Sequence, residues 1–99
     1  MPSVIEVIAE PTRRQILDLL RIERPVGELV ESLAMSQPAV SKHLKVLRDA
    51  GLVEVRTDAQ RRLYRVRPEP LREIDEWLTP YRAMWNDALD KLERHLENS

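Results

Sequence analysis

The stretch SQPAVSKHLKVLRDAGLV, residues 36 to 53, constrains the fold more than any other part of the chain. It contains the start, the period and the stop of one helix. Ser36 is a good N-cap, and Pro38 is tolerated in the first turn because its missing N–H is not needed there. Val40, Leu44 and Leu47 recur four and three residues apart, which predicts one buried stripe, while Ser41, Lys42 and Lys45 project opposite. Gly51 is placed to end the helix, from Gln37 to about Ala50, in a left-handed conformation.

The flanking segments supply the helix with neighbours. Val26, Leu29, Val30 and Leu33 recur at helical spacing after Pro25, with Glu28 and Glu31 facing water, and the tight turn Ala34-Met35 follows. Two helices joined by a short turn, the second polar outside, are what helix-turn-helix recognition requires. Ser3 and Glu6 form a capping box ahead of Val4, Ile5, Val7 and Ile8. Pro11 fits the first turn of a second helix that runs to about Arg21 and buries Ile16, Leu17 and Leu20. Leu52 to Thr57 and Arg61 to Arg67 alternate, pairing Val53 with Val55 and Tyr64 with Val66 on one face, so a β-hairpin with Asp58-Ala59-Gln60 near its tip is expected. Leu71, Ile74, Leu78, Tyr81, Trp85, Leu89, Leu92 and Leu96 then keep steps of three or four in one long amphipathic helix, with Thr79-Pro80 as the place to kink.

Size and charge narrow the function. A chain of 99 residues makes one domain and buries only roughly 60 to 65% of its unfolded surface, so a partner subunit would help it. With 42% hydrophobic and 33% charged residues it is expected to fold rather than to be disordered. The longest aliphatic run, Val7-Ile8-Ala9, is far below the roughly 18 residues of a membrane span, and no signal-peptide pattern opens the chain. No membrane partner and, by default, a cytoplasmic location are expected. Without cysteine there is no disulfide, thiolate metal site or thiol switch. The net charge of −1 argues against a nucleic-acid partner, but the charge is uneven: residues 36 to 67 carry +5 and the remainder −6.

This order, and the stretches PTRRQILDLL (11 to 20), SQPAVSKHLKVLRDAGLV (36 to 53) and RRLYRVR (61 to 67), closely resemble the ArsR family of winged helix-turn-helix repressors. The resemblance implies a mostly α fold with a β-hairpin wing: a helix-turn-helix at about 26 to 50, the wing at about 52 to 67 and a long C-terminal dimerisation helix at about 70 to 97. It also implies a homodimeric repressor of double-stranded DNA, with the helix from Gln37 to Ala50 in the major groove and the wing along the backbone. The first and last helices would make the dimer, through Val4, Ile8, Leu78, Tyr81, Trp85, Leu89 and Leu92. The run WLTPYRAMWNDALDKLERHLE (77 to 97) is similar to a cysteine-free subgroup often encoded beside small START-like or cyclase-like proteins, which implies regulation of a neighbouring operon by an unspecified inducer.

Residue by residue, the resemblance puts Ser36, Gln37, Ser41 and His43 on or near DNA, and the exposed face read from spacing adds Lys42 and Lys45. His43 sits about 60° from Val40 on the helical wheel, so it either packs or touches a phosphate rather than reading a base. Gln37 and Ser41 suit base edges, whereas Lys42, Lys45, Arg61 and Arg62 suit phosphates. Arg62 shares the face of Tyr64 and Arg61 points oppositely; one of the two is expected to reach DNA.

Two departures from the family stand out. Ala34 occupies a position commonly held by Gly, where a left-handed turn would cost about 1 kcal/mol. Metal-sensing members carry a cysteine pair in the helix matching Val26 to Ala34, here VGELVESLA, or carboxylate and histidine ligands in the last helix, where only His95 remains near Asp90, Glu93 and Glu97. Glu93 and His95 point to nearly opposite faces, so no metal and no cofactor are expected. Ser41 and Lys45 lie one turn apart, but nothing supplies oxyanion donors or a pocket for a Ser-Lys enzyme. A winged helix that docks proteins, without specific DNA binding, is the alternative function.

Overall fold

The computed structural model describes residues 3 to 98. The elements run α1 (Val4–Ile8), α2 (Pro11–Leu19), β1 (Arg24–Pro25), α3 (Val26–Leu33), α4 (Gln37–Asp49), β2 (Val53–Asp58), β3 (Arg61–Val66), a 3₁₀ turn (Glu69–Leu71) and α5 (Arg72–Glu97). The caps read from the sequence form: the Ser3 hydroxyl accepts the Glu6 N–H at 3.2 Å and the Ser36 hydroxyl accepts the Ala39 N–H at 3.3 Å. Glu10 caps α2 through its carboxylate, which accepts the Thr12 N–H at 3.1 Å. That backbone bond, the largest influence on the group, holds the Glu10 carboxyl below its ordinary range.

The core joins the stripes of the short helices to one face of the sheet. Ile16, Leu17 and Leu20 from α2 and its end, Leu29 from α3, and Val40, Leu44 and Leu47 from α4 pack with Val7, Leu52, Val53 and Tyr64. Val26, Val30 and Leu33 flank this cluster half-buried. Gly51 takes φ +76, and the chain leaves α4 with the Leu52 N–H donating to the Leu47 carbonyl at 2.9 Å. The resulting left-handed exit aims β2 back across the core.

The hairpin registers Val53 with Val66, Val55 with Tyr64 and Thr57 with Arg62 on the core side, and Glu54 with Arg65, Arg56 with Leu63 and Asp58 with Arg61 on the other. Its two-residue turn places Ala59 at φ 56, the positive angle that a tight hairpin requires. One correction to the sequence reading is a third strand. Arg24–Pro25 pairs antiparallel with β3, giving the order β1-β3-β2. A two-residue strand is too short to alternate, and Pro25 is tolerated because the strand is an edge. Leu63, opposite Pro25 and Arg56, is buried on the outer face.

The last helix begins later than expected because Pro68 and Pro70 shape a 3₁₀ turn first, closed by the Leu71 N–H on the Pro68 carbonyl at 2.9 Å. From Arg72 it continues through Pro80 to Glu97. Arg82 folds back beside the proline, donating to the Asp75 carboxylate at 2.6 Å and to the Asp75 carbonyl. No residue of α5 is buried, and the molecule measures 63 × 28 × 22 Å. Among the described residues no helix is long and apolar enough to cross a membrane.

Candidate nucleic-acid interface

The site is built on the turn between α3 and α4. Ala34 adopts φ 52 and ψ 43, the left-handed conformation expected there despite the absence of glycine, and its N–H donates to the Val30 carbonyl. This turn sets Ser36 extended, so its hydroxyl closes the first turn of α4 and keeps its own proton free to donate. Gln37, Ser41, Lys42 and Lys45 are all exposed along α4. Gln37 and Ser41 stand one turn apart on one flank. His43 lies half-buried on the opposite flank, facing α2.

Ion pairing decides which of the basic residues are available. Across the outer face of the sheet, Arg56 makes a two-pronged bond to Glu23 at 2.8 and 2.7 Å. Arg65 donates to Glu54 at 3.0 and 2.5 Å, with Arg67 3.8 Å from the same carboxylate. The hydrogen bonds with Arg56 hold the Glu23 carboxyl below its ordinary range and raise the Arg56 guanidinium in return. Glu54 likewise raises Arg65. Arg61 is 3.8 Å from Asp58 across the hairpin tip. Among the described residues, Lys42, Lys45, Arg48 and Arg62 make no ion pair. The positive surplus of residues 36 to 67 therefore sits on α4 and at the wing tip, while the sheet's outer face is largely neutralised.

Two basic residues carry more than the sequence reading gave them. Arg48 adds a third unpaired cation to α4, one turn beyond Lys45. Arg13 donates Nη1–H to the Val7 carbonyl at 3.2 Å and Nε–H to Nδ1 of His43 at 3.4 Å, tying α1 and α2 to α4. Its neighbour Arg14 donates to the Ile8 and Ala9 carbonyls at 2.7 and 3.1 Å. A signal was present: two cations in the first turn of a helix oppose its dipole, and so need another reason to be there. That reason is the carbonyl end of α1.

The residues assigned to a dimer lie elsewhere. Val4 and Ile8 on α1 and Leu78 on α5 are half-buried, and α1 packs against α5. Tyr81, Trp85, Leu89 and Leu92 are exposed by 42, 56, 62 and 55% along one side of α5. Trp77 packs against Tyr81 with the rings tilted by 46° and their centroids 5.1 Å apart. His95 is exposed near the end of α5, and among the described residues no three of His, Cys, Asp or Glu gather as a metal site would need.

Comparison with known proteins agrees with this geometry. The family model described as bacterial regulatory protein, arsR family, matches residues 10–55, from the α2 cap through the start of the wing. The chain is 32% identical over 79 residues to the transcriptional repressor SdpR of Bacillus subtilis (strain 168), spanning 79% of this chain and 88% of that protein. It is 40% identical over 85 residues to the HTH-type transcriptional regulator Rv2034 of Mycobacterium tuberculosis, spanning 85 and 77%. An ArsR-like transcriptional regulator from Rhodococcus sp. RHA1 superposes with a TM-score of 0.69 at 28% identity, covering 92% of this chain and 87% of that one. With these relatives over most of its length and the family model over its helix-turn-helix, the chain belongs to the arsR family of bacterial regulatory proteins and is a DNA-binding regulator of transcription.

Proposed function

We propose that the chain acts in the cytoplasm as a homodimeric repressor of a pseudo-palindromic operator. The observation that carries the DNA side is the concentration of unpaired cations on α4 and the wing tip, beside the exposed amide of Gln37 and hydroxyl of Ser41. In this reading Gln37 and Ser41 address base edges, and Lys42, Lys45 and Arg62 address phosphates. Arg61, engaged with Asp58, is the weaker contact of the tip pair.

The apolar side of α5 supports a dimer. A stripe of Tyr81, Trp85, Leu89 and Leu92 left in water forfeits roughly 1.5 to 3 kcal/mol per large side chain, which a second copy would recover. A twofold arrangement then sets two α4 helices in successive major grooves roughly 34 to 36 Å apart, and binding there blocks polymerase. The protein-docking alternative gains nothing from the family relationship.

The test is titration of fluorescent duplexes from the region upstream of the coding sequence against scrambled duplexes. Gln37→Ala is expected to relax sequence preference, while Lys45→Ala weakens binding to all duplexes alike. The reverse assignment of effects would mean that α4 approaches DNA in another orientation.

A further inference from the structure

The wing holds more positive charge than it presents. From Val53 to Arg67 the hairpin has five arginines against two carboxylates, Glu54 and Asp58, and a third carboxylate reaches it from outside. Glu23, next to β1, takes Arg56 in a two-pronged bond at 2.8 and 2.7 Å, 33 positions away in sequence. At about 3.4 Å per residue, Arg56 stands about 7 Å along β2 from Asp58 at the tip, within the Debye length of roughly 8 Å at physiological salt. A free guanidinium there would attract any phosphate that the tip meets.

Holding the wing in place does not require this pair. β2 and β3 are registered from Val53 and Val66 to Asp58 and Arg61, and β1 flanks β3 on its other side. An ion pair whose side chains are 58 and 27% exposed adds little to such a ladder. What the pair changes is charge. Without Glu23, Arg56 would be a second free cation one rung from Arg62, which makes no ion pair among the described residues.

We propose that Glu23 limits sequence-independent binding: by occupying Arg56 it withholds from DNA a cation that every sequence would attract, and so leaves discrimination to α4. The proposal rests on the wing lying along the DNA backbone. Phosphate contacts add affinity without sequence information, and a genome offers on the order of 10⁶ to 10⁹ competing sites, so each such contact also holds the protein on the wrong DNA. Glu54 acts in the same sense on Arg65 and Arg67, but about 13 Å from the tip, where screening leaves less to withhold.

The test titrates the full chain against scrambled duplex DNA across salt concentrations. Glu23→Gln is expected to tighten binding about fivefold or more at low salt and to steepen the slope of log affinity against log salt by about two per dimer, one further phosphate for each subunit. Preference for the upstream duplex should not rise. Glu54→Gln should tighten binding less than Glu23→Gln. Glu97→Gln makes the same change in net charge in the last turn of α5, at a carboxylate that pairs with no cation among the described residues, and should have the smallest effect. Glu23→Gln combined with Arg56→Gln should bind within about twofold of the parent, because the intact pair is already neutral. Thermal melts establish that each variant is folded.

Unchanged or weaker binding of scrambled DNA by Glu23→Gln would overturn the proposal, weaker binding meaning that the pair places the wing. A double variant weaker than the parent would also overturn it, by making Arg56 a DNA contact in spite of its carboxylate. So would a Glu97→Gln effect as large as that of Glu23→Gln, which would reduce the matter to net charge. Arg62→Ala separates the two levels. If it weakens binding while Glu23→Gln changes nothing, only the masking is lost; if neither changes binding, the placement of the wing on DNA fails.

Discussion

Two amphipathic helices, α4 and α5, follow the same rule of apolar residues three and four apart, yet they end in opposite circumstances. In α4, Val40, Leu44 and Leu47 are almost wholly enclosed by α2, α3 and the sheet. In α5, twice as long, no residue is buried and Trp85, Leu89 and Leu92 remain more than half exposed. The period of a stripe therefore tells that a helix has something to cover, and leaves open whether the cover belongs to the same chain. On the function proposed above, the enclosed stripe frees the far face of α4 for DNA, and the open stripe of α5 is the one a second copy would cover.

The comparison is sharpest under truncation. Leu47→Ala removes a side chain that α4 buries completely and should cost about 2 to 5 kcal/mol of stability, read by denaturant unfolding. Leu92→Ala in α5 should leave the stability of an isolated subunit within about 0.5 kcal/mol. A large loss for Leu92→Ala under conditions where the protein sediments as a monomer would mean that α5 folds back on its own core.

Next in size is the effect of charge on the open stripe. Leu89→Asp should shift sedimentation from dimer to monomer at micromolar concentration and lower DNA affinity, while melting of the subunit changes little. An unchanged dimer would place the seam on another surface.

How far the sequence could be read follows the same division. The caps at Ser3 and Ser36, the left-handed Gly51, and the alternation that puts Val53 with Val55 and Tyr64 with Val66 are local and were legible, because each depends on residues a few positions apart. What escaped was long-range. Arg24–Pro25 becomes a strand only because β3 passes beside it, and Arg13 reaches His43 thirty positions away. The charge balance of residues 36 to 67 was legible as a total, but Glu23, outside that window, neutralises Arg56 within it. The exposed face of α4 with Ser41, Lys42 and Lys45 was legible because helical phase fixes direction; Arg48 was passed over because a cation in a last turn has an ordinary reason to be there.

Smaller effects test the turn and the sheet that hold α4 in place. Ala34→Gly should stabilise by about 0.5 to 1 kcal/mol, raising the melting temperature by several degrees, since glycine adopts φ 52 without a Cβ penalty. A destabilised variant would show that the Ala34 methyl contributes packing worth more than the strain. The smallest effect belongs to Glu23. Its folded pKa lies below its unfolded value, so its bridge to Arg56 contributes stability above the ordinary carboxylate range and loses it as pH falls through the folded value. Glu23→Gln should flatten that part of the acid melting profile slightly, in keeping with an exposed pair. A profile identical to the parent's would show that the bridge contributes nothing measurable.

The most direct test of the whole account is the salt dependence of binding between the parent protein and DNA from upstream of its coding sequence. A dimer that neutralises about four phosphates per subunit through α4 and the wing should give a slope of log affinity against log salt near −7, with preference over scrambled DNA at every concentration. A slope near zero, or equal affinity for both duplexes, would contradict it.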